Sequence, residues 1–310
     1  MVYLLLVLSL VLIIVGAMLL TDGSVALAKR LRVPEFIVGL TVVAVGTSMP
    51  ELTVSLISSF EGSGDMAIGN VVGSNIFNVL MILGVCAVVA PILFSKSNIR
   101  RDIPLAVVTS VMLVVVTLIN ENITRLEGLI LLVGYVAMMW YTIRAEKRAM
   151  AATPTEEAQG SVMPVWRIPV WIILGLAGLV FGGDMFVDSA SDIAREWGVS
   201  EATIAITLVA GGTSLPELAS SIVSIMRGSP SLALGNVLGS CVANILLILG
   251  VCSTVNPLTM GDVAMSDIYV ALGAVCLLML SALIIGRDKL TRGEGLFFII
   301  AYVVYIYTLL

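Results

Sequence analysis

The sequence predicts an all-α multi-pass membrane protein with ten transmembrane helices, arranged as two inverted five-helix repeats in which the second and third helices are interrupted. Three observations carry this. The chain of 310 residues is 59% hydrophobic and only 12% charged, with a mean hydropathy of +1.11, whereas a soluble domain carries roughly 25% charged residues. Apolar runs long enough to cross about 30 Å of hydrocarbon, ~20 residues each, recur from end to end. One long segment also occurs twice at a fixed offset.

The runs fall at 2–21, 36–60, 66–90, 103–120, 126–143, 168–187, 202–226, 231–255, 264–286 and 294–310. Lipid offers no water to unpaired backbone groups, so each run is expected to be helical. No Lys or Arg precedes the first run, which therefore reads as a retained helix rather than a cleaved signal peptide. Ten spans place fourteen of the sixteen Lys and Arg residues in loops on one side and leave only Arg125 and Arg195 on the other. Cytoplasmic loops are the basic ones. The expectation is a plasma (inner) membrane protein with its N- and C-termini extracellular or periplasmic.

Shifted by 166 residues, GTSMPELTVSLISSFEGSGDMAIGNVVGSNIFNVLMILGVC at 46–86 aligns without a gap on GTSLPELASSIVSIMRGSPSLALGNVLGSCVANILLILGVC at 212–252, and more than half the positions are identical. The same offset pairs Asp22 with Asp188 and Pro91 with Pro257. The organisation read from this is repeat 1 at 1–143, a polar cytoplasmic linker at 144–166 and repeat 2 at 167–310. Five spans is an odd number, so the second copy must start on the opposite side of the membrane. Inverted repeats of this kind are a recurring transporter architecture, with the site near the bilayer midplane on interrupted helices.

Polar residues inside the repeats have helical spacing. Ser48, Glu51, Ser55 and Ser58 share one face of the second span, and Ser214, Glu217, Ser221 and Ser224 repeat the pattern. On the third span Asn70, Ser74 and Asn78 are spaced by four, as are Asn236, Ser240 and Asn244. Gly69 and Gly73, with Gly235 and Gly239, form a small-residue pattern that lets helices approach closely. Pro50 and Pro216 lack an N–H and crowd the carbonyl four residues back. The carbonyls of Gly46 and Gly212 then lose their helical partners, and those before the kink, including Ala44 and Ala210, become available to a cation. Thr47, Ser48, Thr213 and Ser214 add neutral oxygens beside Glu51 and Glu217. Such hard oxygen donors suit Ca²⁺ and Na⁺.

A carboxylate at the centre of a membrane helix costs at least about 2.5 kcal/mol on insertion scales, so two at equivalent places point to function. Ser55, Ser58, Ser221 and Ser224 read instead as interhelical hydrogen-bonding groups. Asp22, Asp184 and Asp188 lie toward span ends, where a charge reaches water. Cys86, Cys241, Cys252 and Cys276 lie in apolar spans without metal-ligand spacing. The chain has no histidine, which removes imidazole relays and Ser-His catalysis. No nucleophile constellation or cofactor motif supports an enzyme, and a channel has no need of inverted halves.

The doubled G-T-S-[ML]-P-E, each followed by G-N-V-[VL]-G-S-x-x-x-N, resembles the paired α-repeats of the cation/calcium exchanger superfamily, in particular the sodium/calcium exchanger branch and its short prokaryotic members. The motifs cover about a quarter of the chain and the topology matches over its whole length. The resemblance implies a ten-helix antiporter in which the second and third helices of each repeat enclose the ions and the first helices slide to alternate access. It places ion binding on the shared carboxylates Glu51 and Glu217, on Thr47, Ser48, Thr213 and Ser214, on Ser74, Asn78, Ser240 and Asn244, and on the carbonyls of Ala44 and Ala210. Some relatives, including potassium-dependent exchangers, carry Asp where this chain has Asn244, which weakens any expectation of potassium dependence. The proton-coupled branch has a G-N-x-x-E signature that differs from GTS[ML]PE. The expected function is therefore electrogenic Na⁺/Ca²⁺ exchange, with H⁺-coupled Ca²⁺ antiport as the alternative. No cofactor and no nucleic-acid partner are expected beyond the transported Ca²⁺ and Na⁺ and the surrounding lipid, and a monomer suffices.

Overall fold

A computed structural model describes residues 1–119, 122–152, 163–199, 210–286 and 288–309. Residues 202–209 of the seventh expected span and residues 153–162 of the expected linker lie outside it. The described chain is helical almost throughout, in the order α1 (Val2–Leu31), α2 (Glu35–Thr47), α3 (Met49–Phe60), α4 (Gly64–Val89), α5 (Asn98–Ile119), α6 (Arg125–Ala152), α7 (Arg167–Glu196), α8 (Leu215–Met226), α9 (Pro230–Val255), α10 (Met265–Ile285) and α11 (Arg292–Leu309). Among the described residues eight of these are long and apolar enough to cross a membrane. The pair α2 and α3, bent by 45° at Ser48, counts as a ninth. The tenth is α8, a shorter apolar helix of 12 residues preceded by a helical turn at Ala210–Gly212.

The break in the second span falls where Pro50 dictates. Ser48 leaves helical geometry at φ −83°, ψ 11°, and its N–H still reaches the Ala44 carbonyl at 3.0 Å. The Ala44 carbonyl therefore keeps a main-chain bond and has its second lone pair left to offer a cation. The third spans are not interrupted in the same way. Each is continuous and contains one π-helical segment, Phe77–Ile82 in α4 and Ala243–Ile248 in α9, at the repeat offset. No proline is present to break them, and a wider turn accommodates the local change. The loops after α3 and α8 also correspond. Gly62 and Gly228 adopt φ 81° and 78°, which lets the next N–H, of Ser63 and of Ser229, return to Ser58 and Ser224 at 2.9 and 2.8 Å.

Two compact units form, and each draws on both repeats: Met1–Pro50 with Glu156–Asn236, and Glu51–Thr155 with Val237–Leu310. In the first, α1 lies along α7 through a glycine seam. A Cβ on Gly16 would sit 2.8 Å from Leu179 N, and one on Gly182 would sit 3.0 Å from Ile13 N. These contacts exchange under the 166-residue offset, as expected of a two-fold relation between the repeats. Ile13, Ala17, Leu20, Ile172 and Leu179 are buried along the seam. Gly39 and Gly235 bring α2 against the start of α9, where added Cβ atoms would lie 2.3 Å from the carbonyl oxygens of Leu232 and Phe36. Asp22 does reach solvent and meets Arg227 at 3.3 Å, while Asp184 and Asp188 are exposed.

The second unit repeats the exchange. Strand β1 (Ile92–Leu93) pairs antiparallel with β4 (Lys289–Leu290), and β2 (Asn122–Ile123) pairs with β3 (Leu258–Thr259). The first strand of repeat 1 thus takes the second strand of repeat 2, and the reverse. Gly84 on α4 abuts Gly295 on α11, as Gly250 on α9 abuts Gly128 on α6. The close approach expected at Gly69 and Gly73 is not found. A Cβ on Gly73 would meet nothing within 4 Å, and one on Gly69 only Val263 at 3.9 Å.

The α1–α7 seam should be intolerant of a single methyl. An alanine Cβ at Gly175 would lie 2.5 Å from Leu20 N and 2.8 Å from Gly16 O, backbone atoms that cannot rotate away. Gly175→Ala is expected to cost about 1–3 kcal/mol, the usual range for overpacking, read as a lowered unfolding midpoint of the purified protein in detergent. Gly134→Ala, where the same atom meets nothing within 4 Å, should leave that midpoint unchanged or slightly raised.

Candidate ion-binding site

In the first unit the site is built around Glu217. Ser214, at φ −91° and ψ 6°, precedes α8, and Pro216 sits in the first turn, where its missing N–H costs nothing. Glu217 follows on the inward face with no exposed surface. Its Oε1 accepts a hydrogen bond from Ser48 Oγ at 2.8 Å, and its Oε2 has no hydrogen-bond partner among the described residues. Thr213 Oγ1 is buried in the same condition. Ser214, next in sequence to Thr213, is buried, as is Ser48.

Asn236 braces this arrangement. Its Nδ2 donates to Ser220 Oγ and Ser221 Oγ, both at 3.0 Å, and approaches the main-chain oxygen of Glu217 at 3.5 Å. Its Oδ1 accepts from Thr47 Oγ1 at 3.2 Å. Thr47 also lies 3.0 Å from Val43 O and 3.4 Å from Ala44 O, so its single hydrogen is shared among three acceptors. The repeat-related residue in the second unit is Asn70, whose Nδ2 donates to Glu51 O at 3.3 Å and to Ser55 Oγ at 3.0 Å. Ser55 and Ser221 thus serve interhelical hydrogen bonding, as does Ser224, which lies 3.2 Å from Thr21 Oγ1. Asn70 and Asn236 leave the polar stripe drawn from the sequence and become braces.

Glu51 is fully buried in the second unit, as are Asn78, Asn244 and Ser240, with Ser74 nearly so. Both amide ends of Asn78 lack a hydrogen-bond partner among the described residues, and so does Oδ1 of Asn244. Each Asn lies in its π-helical segment and accepts a main-chain bond from five residues on, from Leu83 and Leu249. One buried polar residue lies off the predicted stripes. Asn75 donates from Nδ2 to Cys241 O at 3.3 Å and accepts Asn244 Nδ2 at 3.0 Å. Its repeat-equivalent is Cys241, so the one signal available was a polar–apolar mismatch inside an otherwise matched segment.

Buried oxygens without partners are costly unless something occupies them. A membrane-embedded carboxylate with an open oxygen, neighboured by hydroxyls and amide oxygens, fits a hard cation. Among the described residues no group of three or more His, Cys, Asp or Glu is placed to hold a metal, so neutral oxygens must supply most of any coordination shell.

Residues 1–144 and 167–310 match the sodium/calcium exchanger protein family. The chain belongs to that family. It is 36% identical over 307 residues to the putative antiporter CaxA of Alkalimonas amylolytica, covering 97% of this chain and 96% of the relative. It is 28% identical over 347 residues to the sodium/calcium exchanger MaX1 of Methanosarcina acetivorans, covering 99% and 98%. A solved structure of the sodium-calcium exchanger NCX_Mj, soaked with Na⁺ and no Ca²⁺, superposes with a TM-score of 0.86 at 31% identity over the whole of both chains. The ten-helix inverted-repeat fold is therefore that of the family, and this family member is a membrane antiporter for Ca²⁺ and another cation, not an enzyme.

The braces differ in strength. Asn236→Leu removes side-chain bonds to Ser220, Ser221 and Thr47, although Ser220 and Thr47 keep main-chain acceptors, whereas Asn70→Leu removes one side-chain bond, to Ser55. Each buried group left unpaired costs about 1–3 kcal/mol. Thermal unfolding of the exchanger in detergent should therefore show a larger loss for Asn236→Leu than for Asn70→Leu.

Proposed function

We propose that the chain exchanges Na⁺ for Ca²⁺ by alternating access and that its ions are held by the carboxylates Glu51 and Glu217, the hydroxyls of Thr47, Ser48, Thr213, Ser214, Ser74 and Ser240, the amide oxygens of Asn78 and Asn244, and the carbonyls of Ala44 and Ala210. The observation that supports this most directly is Glu217, fully buried, with one oxygen on Ser48 and the other unpartnered. An ionised carboxylate in such a place requires a cation for compensation. The wealth of neutral oxygen around the two acids favours a metal cation over a proton, which would need only one acceptor. The names of the relatives MaX1 and NCX_Mj favour Na⁺ as the coupling ion. The basic loops favour a plasma-membrane orientation with both termini outside, and repeats at 1–143 and 167–310 joined by a cytoplasmic linker at 144–166.

Two carboxylates neutralise one Ca²⁺ or two Na⁺, and the neutral oxygens leave room for a third Na⁺. Each cycle then moves one net positive charge, worth about 2.3 kcal/mol per 100 mV. An inside-negative potential would draw Na⁺ in and help expel Ca²⁺. The test is ⁴⁵Ca²⁺ uptake into proteoliposomes loaded in turn with Na⁺, with K⁺, or with a pH gradient alone. Uptake is expected only with Na⁺, and it should respond to a potential clamped with K⁺ and valinomycin. Uptake driven by the pH gradient without Na⁺ would establish H⁺ coupling instead, and Na⁺-driven uptake indifferent to the potential would refute the charge count.

Glu51→Gln and Glu217→Gln should each abolish Ca²⁺ exchange while the protein remains monodisperse with a near-normal unfolding midpoint. Removing one of two charges leaves a divalent ion under-neutralised in a poorly hydrated place. Near wild-type transport by either verified variant would remove that residue from the site.

A further inference from the structure

Asn78 and Asn244 occupy equivalent places in the two repeats, yet their amides are held differently. Both ends of Asn78 are without a hydrogen-bond partner among the described residues, whereas Asn244 is held at its nitrogen. The cause is one mismatch in the repeat: position 75 is Asn and its equivalent, position 241, is Cys. We propose that Asn75 is a positioning residue that locks the Asn244 amide with its oxygen, and not its NH₂ group, toward the transported cation. The inference rests on Asn244 being an ion ligand.

The argument runs through donors and acceptors. The main-chain oxygen of Cys241 can only accept. Asn75 must therefore turn its Nδ2 toward it, at 3.3 Å. Its Oδ1 is thereby fixed on the opposite side, facing Asn244. An oxygen there can only accept, so Asn244 must present Nδ2, at 3.0 Å. What remains is Asn244 Oδ1, buried and unpartnered. The two ends of an amide are nearly the same shape, so without this chain Asn244 could offer a cation either an oxygen or a repelling NH₂. One backbone carbonyl, acting through Asn75, decides which. Asn78 has no such support, since the residue at its equivalent bracing place is Cys241, and among the described residues no hydrogen bond sets which way its amide faces. The two asparagines are therefore unequal: Asn244 is a preset oxygen donor and Asn78 an adjustable one. That difference suits a site that must accept two ions of different charge.

The lock also limits what position 244 can be. A carboxylate has no donor to offer Asn75 Oδ1, so an Asp at 244 forces Asn75 to turn over and sets its oxygen against Cys241 O. Asn75 should thus help ion binding when residue 244 is Asn and hinder it when residue 244 is Asp. This reversal separates positioning from packing. The measurement is equilibrium ⁴⁵Ca²⁺ binding to the purified full-length chain, which does not depend on the coupling ion, for wild type, Asn75→Leu, Asn244→Asp and the double variant, with unfolding midpoints alongside. Asn75→Leu is expected to weaken Ca²⁺ binding by about 10-fold, the lower end of what loss of a ligand-orienting partner costs, and to leave binding unchanged or tighter in the Asn244→Asp background. An equal loss in both backgrounds would show a packing role, and no loss in the Asn244 background would show no role; either result overturns the inference. If the leucine variant fails to fold, Asn75→Ser, too short to span both partners, is expected to give the same reversal. Asn244→Leu tests the underlying reading: unaltered Ca²⁺ binding there would remove Asn244 as a ligand, and the inference with it, whereas weakened binding there with none in Asn75→Leu would overturn the inference alone.

Discussion

The constraint on which the rest of the structure depends is the burial of a carboxylate inside an apolar chain. Glu217 is fully buried, and the described hydrogen bonds leave one of its oxygens open. Holding it there in a fixed orientation requires a helix that starts at the right depth, supplied by Pro216 after the turn at Ser214. It also requires a neighbouring break that brings in the Ser48 hydroxyl and a brace that keeps the helix from turning, supplied by Asn236. Each of these is cheap alone. Together they fix a carboxylate in an apolar interior, where its ionised form calls for a compensating positive charge.

Much of this was legible because membrane chemistry is restrictive. Charged and amide side chains are rare enough in the spans that Glu51, Glu217, Asn78 and Asn244 stand out, and their recurrence at one offset removes accident as an explanation. The kink at Ser48 was readable because proline acts locally. In the third spans the α-helix is interrupted in a form the sequence does not announce: a π-helical segment follows from no single residue, and Phe77–Ile82 and Ala243–Ile248 contain no breaker. Glycine was the other weak point. Spacing singled out Gly235, which does meet the Phe36 carbonyl closely, but also Gly69 and Gly73, which do not, and it passed over Gly16, Gly175 and Gly182, because what matters is whether another backbone lies opposite, and sequence spacing does not report that. Asn75 was passed over since it lies beside a polar stripe instead of on it.

The repeats are equal in architecture and unequal in chemistry. Glycine seams and strand pairs exchange cleanly between the copies, so the scaffold keeps its two-fold relation. The polar interior does not: Asn236 holds more partners than Asn70, and Asn244 is held where Asn78 is not. A duplicated gene supplies two identical sets of polar side chains. Divergence confined to side chains such as those at positions 75 and 241 makes the sets different without disturbing the packing that both copies need.

The two compact units also bear on how the chain is made. The first joins Met1–Pro50 to Glu156–Asn236, so α1 leaves the ribosome long before α7, the helix it lies against. At about 5–20 residues per second, α1 must wait in the bilayer for roughly ten to thirty seconds with its glycine seam uncovered, while the whole of the second unit's first segment is synthesised in between. A narrow backbone groove is a poor partner for bulky lipid tails and a good one for another small-residue helix. During biosynthesis α1 therefore gains from a protected place beside the insertion machinery, and the length of chain between it and α7 sets how long that protection must last.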